Sequence, residues 1–176
     1  MMEDYPIEIV DSESAAMGLG YMALAAARAI ENGADYQAAA EAARALVKKM
    51  RVLFVVDTLE FLHRGGRIGG AQRLIGSMLS IKPILHLVDG KIEPLASVRT
   101  KKKALAHLMD VVNTEMAGKS NIKTAVIHAA AADDADKFFG ELKDALHPEE
   151  IHIVELSPVV GAHVGPKALG VVFFAD

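Results

Sequence analysis

FVVDTLEFLHRGGRIGGAQRLIGSMLSIKP, residues 54–83, changes local character several times, and those changes decide the fold. The apolar run Val52–Val56 leading into it reads as a buried strand. Asp57 and Thr58 are good helix N-caps, and Glu60 puts a carboxylate in the first turn that follows. A short helix over Leu59–His63 then meets Gly65-Gly66, where paired glycines stop a helix and permit positive φ. Arg67 follows at once. Gly69-Gly70 opens an amphipathic segment, Ala71–Ser80, with Leu74, Ile75, Met78 and Leu79 on one helical face. Helix, glycine turn, arginine and helix make a workable anion site. Backbone N–H groups and a helix N-terminus supply the positive end of a dipole, and Arg67 supplies a planar fork of donors. The structural alternative is an arginine that caps the last carbonyls of the short helix.

Outward from this stretch the pattern stays α/β. Lys82–Val88 and Lys91–Val98 read as strands joined by Asp89-Gly90, a strong hairpin signal between apolar runs. Thr100 caps a helix to about Met116, and Gly118 stops it. Ile122–His128 is a strand, a helix runs from Asp133-Asp134 to about Leu146, and Ile151–Leu156 is a strand. Ser157–Val164 is a loop or short helix before a last strand, Leu169–Phe174. Upstream, Ile7–Val10 reads as a short strand, and Ser12 or Ser14 starts an alanine-rich helix to about Asn32. Asp35 caps a second helix, Tyr36–Lys49. The expected architecture is a mixed β-sheet with packed helices, with a boundary near residues 50–58.

Composition narrows the class. The 176 residues are 52% hydrophobic and contain no cysteine, which removes disulfide and thiolate chemistry. Net charge of −4 argues against nucleic acid and anionic membrane as partners. No apolar run approaches the roughly 18–20 residues needed to span a bilayer; the richest, Ala23–Ile30, is broken by Arg28. The acidic start lacks an apolar leader core, so a cytoplasmic location is expected. His63, His86, His107, His128, His147 and His152 show no metal-ligand spacing, so neither metal nor cofactor is expected. No Gly-x-Ser-x-Gly nucleophile signature occurs, and Gly18-Leu19-Gly20 is only a partial echo of a dinucleotide-binding turn.

VDTLEFLHRGGRIGGAQRLIGSMLSIKPIL followed by DGKIEPLASVRTKKKAL resembles the DegV family, bacterial two-domain α/β proteins that bind a long-chain fatty acid. Residues 161–170, GAHVGPKALG, resemble the family's C-terminal loop, with Lys167 where a glycine is common. Residues 10–20, VDSESAAMGLG, resemble its mid-chain strand-to-helix entry. The resemblance implies that residues 53–176 are the C-terminal α/β domain and 1–52 a remnant of an N-terminal α/β lobe. It implies that Gly66, Arg67 and Ile68 in the turn, with His163, contact the bound acid. Arg67 and His163 lie near the carboxylate, and Lys167 adds a second cation there. The family's Thr-Ser-Gln-Pro-like and Ser-Gly-Thr-like loops are absent, so a fragment or a lobe from another chain is expected.

The leading reading is therefore a non-enzymatic fatty-acid-binding protein, which in some members presents the acid to a fatty-acid kinase. Two rivals stay open: a phosphoryl-transfer-related enzyme with Arg67 on phosphate, and an interaction module whose apolar cleft is a subunit interface. The first helix also carries Leu19, Tyr21, Met22 and Leu24, which need a surface to cover. That surface is the C-terminal domain, a second copy or lipid, and a homodimer is expected.

Overall fold

The computed structural model describes residues 6–175, apart from the side chains of 77–80. Six strands form one mixed sheet: β1 (Arg51–Val55), β2 (Lys82–Val88), β3 (Lys91–Val98), β4 (Lys123–His128), β5 (Glu150–Glu155) and β6 (Leu169–Phe174). Their order is β3-β2-β1-β6-β4-β5. Only β4 and β5 pair in parallel, across the crossover helix α5 (Ala132–Leu146); the other neighbours are antiparallel. Asp89 and Gly90 both take positive φ, +47° and +73°, at the β2–β3 hairpin, where the right-handed strand twist favours such a turn.

Strand periodicity of two splits the central side chains between the sheet's faces. Leu53, Val55, Val171 and Phe173 point to one face. There they pack against Leu108 and Val112 of α4 (Lys101–Met116) and Phe138 and Leu142 of α5. Val52, Ala125, Ile127 and Val172 point to the other. There they meet Tyr21 and Met22 of α1 (Met17–Glu31) and Ala43 and Leu46 of α2 (Tyr36–Val47). Small residues let these two helices lie close, and the Tyr21 hydroxyl donates to the Thr124 carbonyl at 2.6 Å. Burial raises the Tyr21 phenol well above its ordinary range. The sheet of the same chain thus supplies the surface that Tyr21 and Met22 need. Further along this second face lie α3 (Glu60–Arg64), a 3-10 segment (Gly69–Ser80) and α6 (Pro158–Val164), packed on Phe54, Leu85 and Ala129.

Three local expectations change. Residues 6–10 form no strand: Ile7 and Ile9 are 61% and 83% exposed. Arg44 holds the segment instead, pairing with the Glu8 carboxylate at 2.6 Å and donating to the Ile9 carbonyl at 3.1 Å. Neither Ser12 nor Ser14 caps α1, which begins after Ala16 with no side-chain cap. The Ala71–Ser80 helix is a 3-10 segment, because its inward residues recur at intervals of three. Ile68 and Ala71 are buried and Leu74 packs on them, matching three residues per turn.

Candidate functional site

The site begins with the way α3 ends. The Gly66 N–H donates to the His63 carbonyl at 3.1 Å, and the Arg67 N–H to the Leu62 carbonyl at 2.9 Å. This paired closure is a Schellman end, which needs a left-handed residue; Gly66 supplies it with φ +66°. The turn directs Ile68 into the core, 7% exposed, and leaves Arg67 exposed. Among the described residues, the Arg67 guanidinium has one hydrogen-bond partner, the Gly65 carbonyl at 3.4 Å. So long a contact satisfies the capping alternative weakly and leaves most of the donor fork available. Upstream of the turn, Asp57 does not cap α3. Its carboxylate pairs with Lys82, whose hydrogen bond holds it below the usual carboxylate range. The Thr58 hydroxyl takes the Glu60 N–H at 3.1 Å.

The second half of the site comes from α6. Ser157 accepts the Val160 N–H at 3.5 Å, and Pro158 occupies the first turn, where its missing N–H is harmless. The helix carries His163 in its last turn, against α3. A Cβ at Gly65 would lie 2.2 Å from His163 Nδ1, so only glycine lets the imidazole rest on this turn. Nδ1 is buried there without a hydrogen-bond partner among the described residues. The residue as a whole is half-buried.

Gly66, Arg67 and His163 border a cavity of about 420 Å³ on the second face of the sheet. Its floor is Val52, Phe54, Ile127 and Gly170. Leu87 and Ile92 close one side, with Leu156 and Val160 on the other. Glu13, Ser14, Ala15 and Ala16, the turn entering α1, form the wall across from α3 and α6. The space lies between the two core clusters of this face, one under α1 and α2, the other under α3 and α6. Its walls are mainly hydrocarbon, and its volume falls in the range of about 300–1,000 Å³ typical of small-molecule sites.

Of the residues named from sequence, Gly66, Arg67 and His163 converge on this cavity, while Ile68 lies in the adjoining core and not in the wall. Lys167 also lies outside it. Its backbone N–H donates to the Ala129 carbonyl at 2.7 Å, and its own carbonyl accepts from Lys101 Nζ at 3.2 Å. Ser14, which the sequence marks only as a candidate helix start, also lies in the wall. Among the described residues, no cluster of three or more His, Cys, Asp or Glu is placed to hold a metal ion. No described helix is long and apolar enough to cross a membrane.

These features define an α/β protein with a ligand-sized apolar cavity between two helical groups on one sheet face. The chain belongs to the DegV family, whose model, described as an uncharacterised protein family, matches residues 1–176. It is 44% identical over 168 residues to a DegV domain-containing protein of Streptomyces coelicolor, covering 95% of this chain and 59% of the relative. Among solved structures, it is similar to a fatty-acid-binding DegV family protein from Thermus thermophilus. That likeness has a TM-score of 0.88 and 33% identity, over 96% of this chain and 61% of the other. It is also similar to DegV, a fatty acid binding protein from Bacillus subtilis, with a TM-score of 0.83 and 34% identity over 95% of this chain and 60% of the other. The chain thus spans about 60% of the length of these relatives.

Proposed function

We propose that this chain binds a long-chain fatty acid in the cavity, with the carboxylate between Arg67 and the His163 ring. The observation that carries the reading is the convergence of an under-used guanidinium, a histidine with an unpartnered ring nitrogen and an apolar cavity. A carboxylate is matched by a charge-assisted fork at Arg67. Burying about fourteen methylenes at ~0.8 kcal/mol each contributes on the order of 11 kcal/mol before ordering costs. The likeness to structures described as fatty-acid-binding supports the same ligand.

The chain acts as a carrier, not as a catalyst, and in this reading it presents the acid to a fatty-acid kinase. An acid held by its carboxylate near an exposed turn keeps the reacting group close to the protein surface, where a second protein can reach it. Native mass spectrometry of protein purified from bacteria tests the ligand: a co-purified fatty acid is expected, and a ligand-free protein that also fails to take up octadecanoate would refute the reading. Adding a purified fatty-acid kinase and ATP to the loaded protein tests presentation, with acyl phosphate as the expected product.

A further inference from the structure

The wall across from Arg67 and His163 has polarity of its own. Ser14 borders the cavity there, and its Oγ is buried without a hydrogen-bond partner among the described residues. The surrounding polar groups are committed elsewhere. The Ser12 hydroxyl donates to the Ser14 carbonyl and accepts the Ser14 N–H, each at 3.2 Å. The Glu13 carboxylate pairs with Lys48 at 3.1 Å, and the Glu13 N–H donates to Asp11 at 2.9 Å. Ser14 Oγ itself rests against Gly18. Ser14 also borders a second, smaller space of about 150 Å³, whose wall includes Ser12, Lys48, Arg51 and Asp89. The apolar cavity therefore abuts a polar pocket, and Ser14 stands where they meet.

A buried hydroxyl left unpaired is unfavourable, and rotation about its one side-chain torsion re-aims it quickly on the scale of ligand binding. We infer that Ser14 recognises a hydroxyl near the far end of the acyl chain, so that the site accepts hydroxylated long-chain acids as well as plain ones. The inference rests on the fatty-acid reading, which places the carboxylate at the other wall. A chain ending in a hydroxyl would then bring that group to Ser14 and to the mouth of the polar pocket. In a wall without such a partner, the same hydroxyl would be desolvated and unpaired, and the acid would be rejected.

The test compares octadecanoate with its terminally hydroxylated counterpart, by displacement of a fluorescent acyl probe. The wild-type protein is expected to bind the two within about threefold of each other. Ser14→Ala should weaken the hydroxy acid relative to octadecanoate by about tenfold or more. Ser14→Thr, which keeps the hydroxyl, should retain the wild-type ratio. A hydroxy acid labelled with carbon-13 at the carbinol carbon should show a bound shift that differs between wild type and Ser14→Ala, at equal melting temperatures. Wild-type rejection of the hydroxy acid by tenfold or more overturns the inference, as does an unchanged ratio in Ser14→Ala. If octadecanoate itself does not bind, the fatty-acid reading falls first and this one with it.

Discussion

The two faces of the sheet are built from alternate residues of the same strands, yet they end in different states. Under α4 and α5, Leu53, Ile84, Val171 and Phe173 meet Leu108, Val112, Phe138 and Leu142 in a closed core, with Leu108, Val112 and Leu142 at 0% exposure. On the other face the covering helices fall into two groups, and the cavity lies between them over Val52, Phe54 and Gly170. At Gly170 in the floor a Cβ would meet Phe54 Cβ at 2.7 Å and Ile127 Cγ1 at 3.2 Å, so glycine there lets the neighbouring side chains close up into the floor. The difference separates a face that only stabilises the chain from one with space to spare: one is filled by its own side chains, the other encloses an apolar cavity.

This division gives its sharpest test in paired truncations. Leu108→Ala on the closed face should destabilise the protein by about 2–5 kcal/mol, through lost burial and a residual cavity. Fatty-acid affinity of the folded fraction should stay unchanged. Phe54→Ala on the open face enlarges a space that already exists, so denaturant unfolding should show a smaller loss than for Leu108→Ala, while affinity falls. The reverse ranking would break the distinction between the faces.

Arg67→Ala comes next in size. Fatty-acid binding should weaken by about 1.5–3 kcal/mol, with Arg67→Lys recovering only part because it lacks the fork. Because Arg67 is exposed, stability should move by no more than about 0.5 kcal/mol.

Acid should loosen both faces together. On the closed face, the Lys101 hydrogen bond holds the Asp134 carboxyl, at the start of α5, below its ordinary value. On the open face, burial alone would raise Glu150 of β5, but its hydrogen bonds with Arg28 of α1 and with His152 outweigh burial and lower it. A carboxylate depressed in the folded state adds stability above its unfolded pKa, near 4, and that stability is lost as pH falls through the folded value. His86 acts in the same direction at higher pH, because burial and then Arg51 lower it below its ordinary 6.5. Urea midpoints should therefore fall slightly from pH 7 to 5 and more steeply below about pH 4. A flat profile between pH 5 and 3 would remove these ties from the account.

The smallest expected effect is at Lys167, a non-glycine residue at φ +64°. Lys167→Gly relieves left-handed strain at the price of a more flexible unfolded chain, so a net gain of about 0.5 kcal/mol is expected from thermal melts. Because Lys167 lies outside the cavity wall, affinity should not change.

Much of the architecture was legible because it is encoded locally. Asp89-Gly90 marked the hairpin, Thr100 and Asp35 marked helix starts, and both of those caps form, to Lys103 N–H at 3.2 Å and Ala38 N–H at 2.8 Å. What the sequence hid is non-local. β6 enters between β1 and β4, more than a hundred residues after β1, and no spacing rule announces that pairing. Ile7–Val10 alternates as a strand does, yet among the described residues no neighbouring strand completes its hydrogen bonds. The 3-10 segment was masked because Leu74, Ile75, Met78 and Leu79 also fit a helical face. Arg67 was legible from its glycine turn and His163 through resemblance, but Ser14 as a wall residue through neither, because a lone serine at a helix entry reads as a cap. The glycine that seats His163, Gly65, has a reason only once α6 is folded against α3.

The central claim is that the cavity between the two helical groups holds a fatty acid by its carboxylate, at Arg67 and His163. Octadecanoate labelled with carbon-13 at the carboxyl carbon tests it most directly, by NMR titration of wild type, Arg67→Ala and His163→Gln. A saturable bound carboxyl resonance is predicted for wild type, displaced in each variant and accompanied by weaker affinity. A bound resonance of the same shift and affinity in all three proteins would contradict the account.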